Sequence, residues 1–118
     1  MSLTINIRDN RGVSVIDVSG RLTLGETPAL LKDEIRRLLN EGSRRILLNL
    51  DRLTQMDSSG MGMLVGAFAT VSREGGQLKL TNLSRRVQDL LIITKLHTVF
   101  EIYKDEPTAL GSFAVVAR

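Results

Sequence analysis

Residues 44–72 read RRILLNLDRLTQMDSSGMGMLVGAFATVS, and this stretch decides the fold. Its first part contains the short apolar run Ile46–Leu50, which predicts a buried strand. Residues 58–72 carry no charge in a chain that is 25% charged, and they predict an apolar helix. A strand, a small polar loop and a helix form half of an α/β unit, in which ligands and partners bind at the carboxyl end of the strand. The loop Asp57-Ser58-Ser59-Gly60 is therefore the first place to look for a function.

The segments before this stretch predict a hairpin and a helix. Leu3, Ile5 and Ile7 alternate with polar residues, which is typical of a half-buried strand. A turn signal at residues 9–12 leads into a second apolar strand, which we expect to end at Gly20. After a loop to Thr27, which we interpret as an N-cap, a helix follows. Its predicted apolar face carries Leu30, Leu31, Ile35, Leu38 and Leu39, and Gly42 ends it.

The segments after it predict two more strands and three helices. We expect a helix from about Ser59 to Arg73, a strand over residues 78–81, a helix capped by Ser84, a short strand over residues 99–103 and a helix that begins near Asp105. The helix behind Ser84 is expected to turn inward Val87, Leu90, Leu91 and Ile92. Because helices between strands imply parallel crossovers, this order predicts an α/β fold: a mixed β-sheet with an N-terminal hairpin and about four helices packed on it.

Length and composition set limits on the function. At 118 residues the chain is expected to form a single domain over residues 1–118. The absence of cysteine excludes disulfides, thiolate metal sites and thiol nucleophiles. No signal sequence opens the chain and its apolar stretches are too short to span a bilayer, so we expect a soluble, cytoplasmic protein. Only 3% of the residues are aromatic, so stacking on nucleic acid bases is not expected despite the net charge of +3.

The glycines of the apolar helix resemble a nucleotide-binding pattern only superficially. Gly60, Gly62 and Gly66 do not have the spacing of a dinucleotide fingerprint, and no lysine follows them as in a phosphate-binding loop. We interpret Gly62 and Gly66, four residues apart, as positions that let the helix lie close to its neighbours. The pattern therefore predicts no nucleotide cofactor.

Catalysis and metal binding are also disfavoured at the loop. A nucleophilic serine needs a general base within hydrogen-bond reach, and the one histidine of the chain, His97, follows the third helix. Asp51 and Asp57 bracket the loop, but no histidine cluster or calcium-loop spacing accompanies them. We interpret Asp57 as a carboxylate that accepts backbone N–H groups near the helix start. The sequence therefore predicts neither an enzyme nor a metal site.

Phosphorylation is a further possibility for the two adjacent serines. A serine at a helix start is usually only a cap, and from the spacing alone this interpretation is favoured, with Ser59 as the cap residue. The loop nevertheless offers two hydroxyls where one cap is needed. A phosphate there would meet free backbone N–H groups and the positive end of the helix dipole. Its charge of about −1.5 to −2 would then act mainly on a partner.

The whole chain resembles a STAS domain, specifically the anti-sigma factor antagonist family of bacteria. The resemblance depends above all on the segment Met56-Asp57-Ser58-Ser59-Gly60-Met61-Gly62. Further matching segments lie at residues 20–23, 46–50, 76–80, 94–96 and 99–100, and at Val87, Leu90, Leu91 and Ala109. The resemblance implies a STAS-like sheet fold and a protein that itself catalyses nothing.

In this family the first serine of the loop is the phosphorylation target, which corresponds to Ser58. The resemblance implies a partner switch in which the unphosphorylated protein binds an anti-sigma factor that is also its serine kinase, and so frees a sigma factor. Phosphorylation breaks that complex, and a metal-dependent serine phosphatase restores it. Neither direct nucleic acid binding nor membrane binding is implied, and we expect a monomer or a weak dimer.

The expected partner surface surrounds Ser58. It comprises Thr23, Gly25, Glu26, Thr27, Asp57, Ser59, Gly60 and Met61. Many members of the family carry an acidic residue where this chain has Thr23. The uncharged helix after the loop would contribute adaptable methionine side chains, Met61 and Met63, to the contact. The alternative function is a STAS module of another kind: a non-catalytic scaffold, a transport accessory or a nucleotide sensor.

Overall fold

A five-stranded sheet organises residues 3–24 and 27–113, which are the residues that this computed structural model describes. The elements are β1 (Leu3–Asn10), β2 (Val13–Leu22), α1 (Thr27–Asn40), β3 (Arg45–Met56), α2 (Ser58–Arg73), β4 (Gln77–Thr81), α3 (Arg85–Ile93), a 3-10 turn (Leu96–Thr98), β5 (Ile102–Tyr103) and α4 (Glu106–Ser112). The strands lie side by side in chain order. Only β1 and β2 are antiparallel, and the other neighbours are parallel. The predicted mixed sheet is confirmed, with β3 at its centre.

Helices cover both faces of the sheet. The main core joins one face to α1, α2 and α3, through side chains such as Leu31, Leu64 and Leu91, each 0% exposed. A smaller core lies between the other face and α4, where Ala109 and Phe113 pack on strand residues. The alternation of the strands explains this division, since Val15 and Ile16 of β2 belong to different cores.

Strand β3 is longer than the sequence predicts. The predicted strand over residues 46–50 continues to Met56, and β2 continues past Gly20 to Leu22. Register shifts between Asp17 and Ser19, and again between Gly20 and Arg21, interrupt the pairing of β2 with β3. Such irregularities break the alternation of apolar and polar residues, so the pattern hides the second half of each strand. The extension leaves Asp57 as the single residue between β3 and α2.

Most predicted helix ends are confirmed, whereas several details differ. The Ser84 hydroxyl accepts the Val87 N–H at 3.2 Å, as predicted for a cap. Thr27 is the first residue of α1 rather than a cap outside it. Leu30 and Ile92 were predicted to be buried, but they are 45% and 50% exposed, because each lies at the border of its helix's apolar face. The predicted strand over residues 99–103 shortens to β5.

A buried lysine fastens α4 to the sheet. Lys79 of β4 is 4% exposed, and its Nζ donates to the Ser112 carbonyl oxygen at 2.9 Å and to the Ser112 hydroxyl at 3.0 Å. The same Nζ lies 3.1 Å from a Glu101 carboxylate oxygen and 4.8 Å from the centre of the Phe113 ring. A cation at the C-terminal carbonyls of a helix is favourable. This contact holds the smaller core closed at the end of α4.

Candidate functional site

The carboxylate of Asp57 organises the start of α2. Asp57 has an extended backbone, and its Oδ1 accepts the N–H groups of Ser59 at 3.0 Å and Gly60 at 3.1 Å. Asp57 is therefore the N-cap, and the prediction that it accepts backbone N–H groups is confirmed. The prediction that Ser59 is the cap is wrong, because the helix already includes Ser58 as its first residue. Two of the N–H groups expected to be free for a phosphate are thus occupied.

The two serines differ in their accessibility. The side chain of Ser58 is exposed, and within the described part of the chain its hydroxyl makes no hydrogen bond. Ser59, one position further along the helix, is half-buried and therefore less accessible than Ser58. Ser58 lies at the carboxyl end of β3, as predicted, and at the sheet's centre. An enzyme that modifies a hydroxyl can therefore reach Ser58 more easily than Ser59.

The same carboxylate ties the end of β2 to the start of α2. The Leu24 N–H donates to Asp57 Oδ2 at 2.9 Å, and the Asp57 N–H donates to the Leu22 carbonyl oxygen at 3.3 Å. The hydrogen bond from Leu24 is the largest cause that lowers the pKa of Asp57 below its ordinary value of 3.8, and those from Gly60 and Ser59 add to it. Although its backbone is fixed in this way, the Leu24 side chain is 81% exposed. Sequence reasoning missed Leu24 as a site residue.

The other predicted contact residues that follow β2 are Thr23, Gly25, Glu26 and Thr27. Thr23, which follows β2 and precedes Leu24 in the chain, is half-buried. Gly25 and Glu26 lie outside the described residues, so their predicted place beside Ser58 stays a prediction. Thr27 is the first residue of α1, and its predicted contact with the partner stays a prediction as well.

Gly60 and Met61 are buried in the first turn of α2. A Cβ atom on Gly60 would overlap the Leu22 carbonyl oxygen and lie 3.0 Å from a Met56 side-chain carbon. Met61 is 7% exposed and belongs to the main core. Met61 also lines a depression that includes Ser58, so its predicted place in the partner surface stays a prediction. Gly60 is needed where α2 passes over the ends of β2 and β3.

Gly62 and Gly66 do not bring α2 close to its neighbours. Both are exposed, and a Cβ atom on either would meet no other atom within 4 Å. Our interpretation of these two glycines as close-packing positions is therefore wrong. They instead line a groove of about 300 Å³ between α1 and α2, together with residues such as Met63 and Arg36.

A second depression begins at Ser58 itself and runs between α2 and α3. It has a volume of about 400 Å³, and its walls include Ser58, Val65, Leu90, Thr94 and Leu96. We call it the α2–α3 cleft. Most of its side chains are apolar, so Ser58 is a polar group at the end of an apolar surface.

The described residues contain no group of three or more histidine, cysteine, aspartate or glutamate side chains that could hold a metal ion. His97 is exposed in the 3-10 turn after α3. None of the described helices is long and apolar enough to cross a bilayer.

Replacing Asp57 by asparagine is expected to lower the melting temperature at pH 7, because one amide oxygen cannot replace two carboxylate oxygens that accept three N–H groups. A carboxylate whose pKa is lowered on folding stabilises the fold above its unfolded pKa, and that contribution is lost as the pH falls through the folded value. The difference between wild type and Asp57→Asn should therefore shrink below about pH 4. Thermal denaturation at pH 7 and pH 3 measures it. Asp33→Asn, at an exposed position of α1, is the control; an equal Asp57→Asn difference at both pH values would contradict the assignment.

Comparison with known proteins identifies a family, relatives and solved structures that this chain resembles. A family model described as the STAS domain matches residues 4–109. An anti-sigma F factor antagonist from Paenibacillus polymyxa is 30% identical over 122 residues, which cover 99% of this chain and 100% of that protein. Among solved structures, a putative anti-sigma factor antagonist from Thermotoga maritima has a TM-score of 0.84 at 24% identity and covers 91% of this chain and 92% of its own. Bacillus SpoIIAA in its phosphorylated form has a TM-score of 0.70 at 23% identity, over 92% and 97% of the two chains.

Proposed function

This chain belongs to the STAS domain family of anti-sigma factor antagonists, and we propose on that basis that it is the phosphorylation-controlled member of a partner switch. Its unphosphorylated form binds an anti-sigma factor that is also a serine kinase, and so frees a sigma factor. Phosphorylation of Ser58 reverses the binding, and a metal-dependent serine phosphatase restores it. The protein itself catalyses nothing, and because sigma factors act in the cytoplasm we place it there.

The observation that carries this proposal is the exposure of Ser58 at the first position of α2. The Ser58 side chain is exposed, and Asp57 already caps the helix and ties the end of β2 to it. A phosphate on Ser58 can therefore be accepted without breaking a hydrogen bond from the hydroxyl to any of the described residues. SpoIIAA, which shares this fold, has been solved in a phosphorylated form, and this supports the same conclusion.

The negative charge of a phosphate on Ser58 is not compensated by the nearby N–H groups at the start of α2, because these already donate to Asp57. Ser59 and Gly60 donate to Asp57, so the phosphate of about −1.5 to −2 charges stands beside a carboxylate that keeps its own charge. A partner that approaches Ser58 must then desolvate both anions or bring cations to them. A kinase surface that fits the uncharged serine does neither, and its affinity falls.

Partner contact at this site involves Asp57, Ser58 and Ser59, together with Thr23 and residues 25–27. Asp57 contributes by holding the backbone of Leu24 in place, and the exposed Leu24 side chain adds apolar surface on this side of the loop. The buried residue Gly60 sets the position of α2, and Met61, which lines the α2–α3 cleft beside Ser58, offers the partner a small apolar contact.

Phosphate incorporation tests the proposal directly. The purified protein is incubated with ATP and each anti-sigma factor kinase of its source genome, and the modified residue is located by mass spectrometry. We expect one phosphate per chain, on Ser58, with none on Ser58→Ala and full incorporation into Ser59→Ala. Incorporation that depends on Ser59 would shift the site by one residue. No incorporation with any kinase would contradict the switch and favour a non-catalytic scaffold.

A further inference from the structure

The first strand leaves one edge of the sheet open along its whole length. Within the described residues, β1 pairs only with β2, and no strand lies on its other side. Its sequence LTINIRDN contains no proline, lysine or glycine, and its pairing with β2 has no bulge. Proline, lysine and bulges are among the devices that stop an edge strand from pairing with another chain. The edge of β1 has none of them.

The hairpin turn decides which backbone groups of β1 point outward. Arg11 and Gly12, with φ of 56° and 81°, form a two-residue turn, so the residues that flank it are a hydrogen-bonded pair. Bonded and non-bonded pairs alternate along an antiparallel ladder. Every second residue from Leu3 to Asp9 therefore directs its N–H and carbonyl groups away from β2. These groups form a ladder to which a second strand can bond.

A depression of about 260 Å³ lies along the same edge. It is lined by Ile5, Asn6, Ile7, Leu30 and Glu34. Ile5 and Ile7 are half-buried against the main core, and Leu30 of α1 is 45% exposed. The carboxylate of Glu34 lies 3.0 Å from a guanidinium nitrogen of Arg37, so its charge is compensated within α1. The edge thus fits a strand that places apolar side chains on the α1 side and polar side chains on the other.

Strand β1 is itself such a strand. We propose that this chain forms a two-fold dimer in which the β1 strands of two copies pair antiparallel about Asn6, so that the two sheets join into one. Ile5 of each copy then lies opposite Ile7 of the other copy, on the α1 side of the joined sheet. Asn6 lies opposite Asn6 on the other side.

The charges and the ladder both favour this register. Pairing about Asn6 places Arg8 opposite Thr4 and Asp9 opposite Leu3, so no like charges face each other. The guanidinium of Arg8 is already bound to Asp17 at 2.7 Å and to Glu106 at 2.6 Å. All the outward residues from Leu3 to Asp9 find a bonded partner in this register, whereas pairing about Ile7 would leave Leu3 without one.

The size of this contact predicts a reversible dimer. Seven paired residues span only about 23 Å, and a standard interface buries about 800 Å² on each partner. The contact leaves Ser58 free, since Ser58 follows β3, two strands away from the junction. Because the paired strands are antiparallel, the two serine loops lie at opposite ends of the joined sheet. One dimer therefore carries two separate copies of the loop, and its formation requires no kinase.

Cysteine cross-linking tests the register. The chain has no cysteine, so a single introduced thiol can bridge only to the same residue of another copy. In the proposed dimer, the two Cα atoms at position 6 are about 4.5 Å apart and those at position 4 about 14 Å, and only the first distance allows a disulfide. Thr4 and Asn6 are both exposed, on the same face of β1. We expect Asn6→Cys to form disulfide dimers at least about tenfold faster than Thr4→Cys. Equal rates would overturn the proposal.

Sedimentation equilibrium measures the dimer without a cross-link. The mass of the wild type should rise from one chain toward two as its concentration increases. Ile5→Lys puts an amine opposite Ile7 of the second copy and should raise the dissociation constant by about tenfold or more. Ile92→Lys, at a half-exposed position of α3, should leave the dissociation constant unchanged.

Two further results would contradict the proposal. A mass of one chain at every concentration would exclude the dimer, and a dimer that Ile5→Lys does not weaken would lie on another surface. Because Ile5 also packs against the main core, circular dichroism checks that this variant is folded. If it is not, the cross-linking rates of Asn6→Cys and Thr4→Cys decide the matter.

Discussion

Replacing Gly60 by alanine is expected to lower the free energy of unfolding by about 3 kcal/mol or more, because the new methyl group would overlap the Leu22 carbonyl oxygen. That oxygen belongs to the backbone at the end of β2, so it cannot move aside as a flexible side chain would. Either α2 must shift away from the sheet, or the end of β2 must move away from α2. Urea denaturation followed by circular dichroism measures the loss.

Gly66→Ala is the matched control in the same helix. Its methyl group would meet no atom within 4 Å, and alanine is favoured over glycine in a helix interior by about 1 kcal/mol. This variant should therefore be more stable than wild type. If the two substitutions changed stability in the same direction, the close approach at Gly60 would not be the cause of the loss.

Ser58→Asp is expected to weaken kinase binding by roughly a hundredfold, which corresponds to about 2.7 kcal/mol. The substitution puts a second carboxylate next to Asp57, at the end of an apolar cleft, where a partner must remove its water. Ser58→Ala leaves the surface uncharged, so it should bind like the wild type and stay bound in the presence of ATP. Equilibrium titration of the kinase with each variant measures both effects.

Ser59→Asp is the control for the position of the charge. Ser59 is half-buried, so less of its side chain is open to a partner than at Ser58. We expect a smaller loss of affinity than for Ser58→Asp. A larger loss at Ser59 would place the sensitive contact elsewhere on α2.

The sheet and the helix boundaries could be predicted because local patterns report them. The alternation of Leu3, Ile5 and Ile7, the Ser84 cap and the glycines after α2 each reflect a local requirement of the backbone. The extension of β3 to Met56 could not be predicted in this way. It depends on register shifts against β2, which are properties of two strands and leave no regular pattern in either.

The central loop could be predicted as the site, but the roles of its neighbours could not. Since residues 58–72 carry no charge, no polar stripe marks which side of α2 faces water. The burial of Met61 therefore does not follow from the pattern, nor does the exposure of Gly62 and Gly66, which we interpret from the sequence as close-packing positions. Leu24 was missed because a backbone N–H, not its side chain, makes the contact with Asp57.

The strands lie in the sheet in the order in which they are synthesised, and this has a consequence for folding on the ribosome. Within the described residues, each new strand is added to the edge formed by the strand before it, and no strand has to enter between two that are already paired. The hairpin can form first, and each following helix and strand can then extend the sheet as they are synthesised. Folding can therefore keep pace with translation, and α2, with Ser58 at its start, finds β2 and β3 already in place when it appears.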